Sequence, residues 1–270
     1  MKTIHICLAL LFICIANLLQ AQTLFQKKYG GNNFDYNGNV IQTQDGGYLF
    51  SGWTQSYGQG ISDIYLIKTD GNGDTMWNKT YGTNQVEVCR MSLQISTGAY
   101  ILTGYRAITN EWKDEAFLMK IDLNGNIIWQ KTFGGNYRER GSTVQQTTDG
   151  GFILGGVNES FMVAGYGPYL VKTDSNGNLS WAKSYGPGNV GLDGTSIVKQ
   201  TFDGGFMIFG PLKDGMNGYS DFRLIKTTAD GSFSWSKAYD IFVDEVADFV
   251  QTADSGYLMC VLHNYVSVNK

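Results

Sequence analysis

"IKTDGNGDTMWNKTYG" occupies residues 67–82. An apolar pair enters a loop rich in glycine and acid, and an alternating segment leaves it. In that second arm Trp77, Lys79 and Tyr81 share one face at period two, and Met76, Asn78 and Thr80 share the other. The stretch reads as strand, tight turn, strand. Its last four residues recur as Lys27–Gly30, Lys131–Gly134 and Lys183–Gly186, with a fifth copy, Lys237-Ala238-Tyr239, that ends in Asp240. The aromatics Tyr29, Tyr81, Phe133, Tyr185 and Tyr239 stand 52, 52, 52 and 54 residues apart.

A second motif, Asp-Gly-Gly-aromatic, occurs at Asp45–Tyr48, Asp149–Phe152 and Asp203–Phe206, with weaker copies at Thr97–Tyr100 and Asp254–Tyr257. Its glycines supply the positive φ of a hairpin turn. From its aromatic to the next Lys-x-aromatic is always 33 residues, whereas the reverse interval runs from 18 to 21. No helical periodicity follows residue 22. Four antiparallel strands per repeat, about five times over, predict an all-β fold, a β-propeller of about five four-stranded blades. The repeats fall near 29–80, 81–132, 133–184 and 185–238, with a partial one at 239–270.

Lys2, the apolar run from Ile6 to Ile15 and Ala21 before Gln22 read as a signal peptide over 1–21, followed by a single domain over 22–270. Cys14 follows Ile13 rather than a small residue, which argues against lipid attachment. No later run is long enough for a transmembrane segment, so a secreted or cell-surface protein is expected. Loss of Lys2 takes the formal charge from −4 to −5, which argues against nucleic acid as a partner. Cys89, Cys260 and His263 are too few and too scattered for a disulfide scaffold or a zinc site, and both thiols are expected to be buried.

Within the turn, Asp70-x-x-Gly73-x-x-x-Trp77 recurs as Asp122, Gly125, Trp129 and as Asp174, Gly177, Trp181; a fourth copy keeps Gly231 and Trp235 but has Thr228. This resembles the tryptophan-docking repeat of the quinoprotein alcohol dehydrogenase-like propellers. Over residues 24–262 the whole repeat resembles secreted propeller proteins common in bacteria with type IX secretion. The resemblance implies a fold more than an activity. The adjacent cysteine pair and calcium ligands of the quinone enzymes are not evident, so no cofactor is expected.

Phe25–Gly30 matches only the last strand of a repeat, and Phe249–Leu262 only a first hairpin. Mixing the two in one blade would close a ring, with Tyr265–Val268 as the strand between. The other reading is a piece of a longer propeller, favoured by the lack of a C-terminal sorting domain.

A calcium loop at Asp70–Asp74 is disfavoured, because the sister loops Asp122–Asn126, Asp174–Asn178 and Thr228–Ser232 lose the third acid and keep the glycine. The glycine spacing also excludes a sialidase Asp-box. No metal site is expected. One acid per repeat, Asp35, Glu87, Glu139, Asp193 and Asp244 or Glu245, precedes the first hairpin as a column of rim carboxylates. Such acids suit cation or sugar binding, or glycoside hydrolysis; as caps on local amides they would be structural. Lys68, Lys120, Lys172 and Lys226 are expected to lie along the blades with the ammonium reaching solvent or an acid, and the tryptophans to pack between blades.

The departures from the repeat are the expected binding surface. Loops 55–63, 106–115, 158–168 and 213–221 carry Tyr57, Trp112, Phe161, Tyr166 and Tyr219. Exposed aromatics on variable loops suit a glycan or protein partner at the cell surface. The expected function is a non-enzymatic binding or scaffold module. The alternatives are a carbohydrate-active enzyme using rim carboxylates, and a fragment of a larger secreted multidomain protein.

Overall fold

The computed structural model describes residues 25–108, 113–160, 167–185, 196–213, 220–239 and 245–262. The described chain is all β. β1 (Asp35–Gln42), β2 (Tyr48–Thr54), β3 (Asp63–Thr69) and β4 (Thr75–Tyr81) form a first antiparallel sheet in chain order. The second contains β5 (Glu87–Gln94), β6 (Tyr100–Ala107), β7 (Asp114–Ile121) and β8 (Ile127–Phe133). The third contains β9 (Glu139–Gln146), β10 (Phe152–Asn158), β11 (Gly167–Thr173) and β12 (Leu179–Ser184). A fourth holds β13 (Ile197–Gln200), β14 (Phe206–Lys213), β15 (Ser220–Thr227) and β16 (Phe233–Tyr239), and a hairpin pairs β17 (Glu245–Gln251) with β18 (Tyr257–Leu262). No described helix is long and apolar enough to cross a membrane.

Successive sheets pack face to face, as blades do. Leu49, Ile64 and Leu66 of the first blade bury against Tyr100, Leu102, Phe117 and Met119 of the second. The next junction repeats this with Ile101, Ala116 and Leu118 against Phe152, Leu154, Tyr169 and Val171. The middle strands of the second and third blades are therefore covered on both faces, and at ~1.5–3 kcal/mol per buried large side chain these seams dominate stability. Outer strands such as β4 and β16 are largely exposed.

The turn at residues 70–74 is an Asx turn. Asp70 Oδ1 accepts the amides of Asn72 (2.9 Å) and Asp74 (2.8 Å), and Gly73 takes φ +79°. Its role reaches beyond its own blade. Trp77 lies over the sister glycine Gly125, Lys79 Nζ donates to Asn126 Oδ1 at 2.8 Å, and Tyr81 OH donates to the Gly125 carbonyl at 2.6 Å. Trp129 and Trp181 lie in the same way over Gly177 and Gly231. Each turn is thus the socket for the outer strand of the blade before it. The third acid has its explanation here: Asp74 receives Lys27 at 2.6 Å where Asn126 receives Lys79.

Segment 25–30 uses the first socket as an outer strand would. The Phe25 ring lies over Gly73, and Tyr29 OH donates to the Gly73 carbonyl at 2.6 Å. Above it, Phe50, Tyr65 and Ile67, which correspond to the buried Leu102, Phe117 and Met119, line an open cleft of about 230 Å³ with Tyr29, Asp35 and Tyr36. At the opposite end Leu258 is 65% exposed, although its counterpart Leu49 is 0% exposed.

Candidate functional site

The rim carboxylates start the inner strands of their blades. Asp35 accepts the Gly31 amide at 2.7 Å, the Ser56 hydroxyl at 3.0 Å and the Thr54 hydroxyl. Partial burial pushes its carboxyl up, but those bonds outweigh it and hold the group below the usual range. Glu139 is 0% exposed and accepts the Gly135 amide at 2.7 Å and the Ser160 amide at 3.0 Å. Glu87 is 4% exposed and takes the Thr83 amide at 3.2 Å and the Thr83 hydroxyl at 2.6 Å, all on Oε1. Each acid therefore bonds backbone or hydroxyl groups of its own blade. Asp193 and Asp244 lie outside the described residues; Glu245 begins β17, with its side chain outside them.

Asp35 and Glu139 also hold the start of a variable loop, through Ser56 and Ser160. These loops join the second and third strands of each blade, on the edge where the rim acids sit. Their sequences differ, but their lengths do not: eight residues lie between Thr54 and Asp63, Arg106 and Glu115, and Asn158 and Gly167. Tyr57 does not stand free in its loop. Its ring packs on Tyr65 at 5.3 Å between centroids and its hydroxyl donates to the Gly30 carbonyl at 3.1 Å, leaving it 45% exposed. Trp112, Phe161, Tyr166 and Tyr219 lie outside the described residues.

Three of the four lysines in the column end on acids. Lys68 is 2% exposed, yet its ammonium reaches Asp45 at 2.9 Å and the Thr69 carbonyl at 2.7 Å. Lys172 and Lys226 reach Asp149 and Asp203 at 2.8 and 2.9 Å. The cysteines differ from expectation by half. Cys89 is buried and its thiol is pushed up to about 12 by that burial, whereas Cys260 is exposed. The β17–β18 hairpin is packed on the fourth blade through Phe249, and its residues Val250 and Leu258 are open.

A second acid column was not anticipated. Asp63, which begins β3, and Glu115, the second residue of β7, meet the rim acid of the following blade. At the second junction Glu115 is neutralised by Arg106 at 3.1 Å and Lys113 at 3.9 Å, and Asp114 pairs with Arg140 at 2.6 Å. At the first junction Asp63, 2% exposed, has no cationic partner among the described residues. Its Oδ2 accepts the amides of Gln59 and Gly60. The 52-residue spacing of Asp63 and Glu115 was the available signal. Among the described residues no group of three or more His, Cys, Asp or Glu side chains is gathered as for a metal.

Fold and site together define an all-β, propeller-like repeat protein with capped inner strands and one variable loop per blade on a common edge. No known protein family matches the chain, and no curated protein does. Among solved structures, one described as a "putative exo-beta-1,3-galactanase from Bifidobacterium bifidum s17" is similar, with a TM-score of 0.44 and 17% identity over 75% of this chain and 72% of that one.

Proposed function

We propose that this chain is a secreted or cell-surface β-propeller of the quinoprotein alcohol dehydrogenase-like type, closed at five blades, and that it works as a non-enzymatic binding or scaffold module. One observation carries the functional reading. The rim acids of the described blades bond locally, Glu87 through Oε1 alone, and two of them anchor the start of loops that keep their length while changing their sequence. A constant platform with variable loops on one edge suits recognition of a glycan or a protein. Glycoside hydrolysis needs two carboxylates that a sugar can reach, and Glu87 and Glu139 are both buried.

The blade count rests on two complementary faces. The cleft on blade one presents the residues that elsewhere receive the preceding blade, and Leu258 and Val250 sit where Leu49 and Ile41 meet the following one. In a Cys260→Ser background, Phe50→Cys with Leu258→Cys should crosslink within one chain; crosslinking only between chains would refute closure.

The test of function is a glycan array and a surface-protein binding screen with the intact chain. Binding should be lost in Trp112→Ala or Tyr166→Ala with unchanged circular dichroism. An intact chain that binds nothing on either would refute the reading.

A further inference from the structure

We infer that the junction of the first two blades is a calcium site, built from Asp63, Glu87 and the Thr83 carbonyl. The inference starts from an orphan. Glu87 Oε2 is buried and has no hydrogen-bond partner, while Oε1 takes both bonds from Thr83. An unpartnered carboxylate oxygen in a dry site is costly. Opposite it stands Asp63 of the other blade, also buried.

The two acids face one gap. Gly82 lies between them, and both Glu87 Oε2 and Asp63 Oδ1 fall within 3.0 Å of the point where a Cβ would sit on that glycine. A side chain there would fill the space. A second point, where a Cβ on Gly60 would sit, has the Gln85 carbonyl oxygen at 2.4 Å, the Thr83 carbonyl oxygen at 2.6 Å and Asp63 Oδ2 at 3.4 Å. No amide of the described residues donates to the Thr83 carbonyl. The nearest guanidinium on the strand pair is Arg106, which faces Glu87 across β5–β6; its Nη2 bonds Glu115 at 3.1 Å, while its Nε is buried without a partner.

Two like charges beside a free carbonyl call for a positive group. A hard cation accepts carboxylate and carbonyl oxygens alike. Calcium takes 6–8 oxygens at ~2.3–2.6 Å with flexible geometry, and magnesium demands a tighter octahedron and sheds water reluctantly. With three protein oxygens and water for the rest, the affinity belongs in the range of ~10⁻⁴–10⁻³ M typical of extracellular modules. The ion would staple the blades where the Glu87 amide already donates to the Ser62 carbonyl at 2.8 Å. The second junction has the same two acid positions and meets the need with Arg106 and Lys113 instead.

The test is thermal unfolding of the intact chain after chelation, with calcium chloride from 0 to about 10 mM at constant ionic strength. The melting temperature should rise saturably by ~3–5 °C. Glu87→Gln, which puts an amide donor against Asp63, should abolish the rise without lowering the calcium-free melting temperature. Asp63→Asn should also abolish it if Glu87→Gln folds poorly, and Glu115→Gln should keep it. No rise in the unmodified chain, an equal rise with magnesium, or a full rise in both first-junction variants would overturn the assignment.

Discussion

The first and second blades solve one hairpin in opposite ways. In the first, Thr43, Asp45, Gly47 and Thr69 surround the buried ammonium of Lys68. The Thr43 hydroxyl donates to Asp45, which accepts the Gly47 amide at 3.1 Å and pairs with the lysine. In the second blade the same four positions hold Ile95, Thr97, Ala99 and Ile121, and Lys120 is only partly buried, without an acid. The backbone is unchanged: Ile95 and Ala99 bond as Thr43 and Gly47 do, at 2.9 Å, and both blades carry a bulge after the lysine. The acid and its shell differ as a set, and the lysine that remains, Lys120, is no longer fully buried. Neither half of the set works with the other, because a buried lysine needs its counter-ion and a vacated site needs filling.

The sharpest way to break that contrast is at Gly47. A Cβ there would overlap the Thr69 carbonyl and stand 2.7 Å from Lys68 Nζ. Gly47→Ala should cost ~2–3 kcal/mol in urea unfolding, while Ala99→Gly, the reverse change in the second blade, should cost only ~1 kcal/mol. Equal losses would mean the two hairpins do not differ in kind.

Acid comes next. The Thr43 hydroxyl and Lys68 hold Asp45 at about 2, and the Thr201 hydroxyl and Lys226 hold Asp203 there. At Asp149 partial burial opposes ionisation, but Lys172 and the Thr147 hydroxyl outweigh it, again to about 2. Folded values below the unfolded ~3.9 mean stability that is present above pH ~4 and lost as the pH falls through 2. These carboxylates are more than half exposed, so screening reduces the three together to ~2 kcal/mol. Thermal scans from pH 5 to 2 should show the loss, less steeply in Asp149→Asn, and Thr97 should contribute nothing.

The smallest expected effect isolates the counter-ion. Asp45→Ala leaves Lys68 with the Thr69 carbonyl and the Met76 sulfur and should cost ~1–2 kcal/mol. Thr97→Ala should stay within ~0.5 kcal/mol, as for an ordinary exposed position. A matching loss at Thr97 would show that the acid is not what sustains the buried lysine.

Much of this architecture was legible in the sequence, because blade geometry repeats and a repeat can be counted. The 52-residue spacing located the strands, the Asx turns and the tryptophans between blades. The lysine–aspartate pairs were harder. Lys68 and Asp45 stand 23 residues apart on different hairpins, and the second blade keeps the lysine as Lys120 while losing the acid, so the repeat alone does not link them. The acid of the third strand was missed because it adjoins a loop whose sequence changes from blade to blade. Cys260 was misjudged because burial depends on a neighbouring blade, which no property of the residue itself reveals. The loop aromatics were named from sequence; the only one described, Tyr57, lies back on its own blade.

The sockets at Gly73, Gly125 and Gly231 bear on the order of assembly. Among the described residues no hydrogen bond between blades spans more than 55 positions of chain. Segment 25–30 meets its socket after 44 residues, so the first blade has its latch as soon as its own hairpin is made. Each later blade then finds its partner already folded on the N-terminal side. A chain emerging N-terminus first can set itself down one blade at a time.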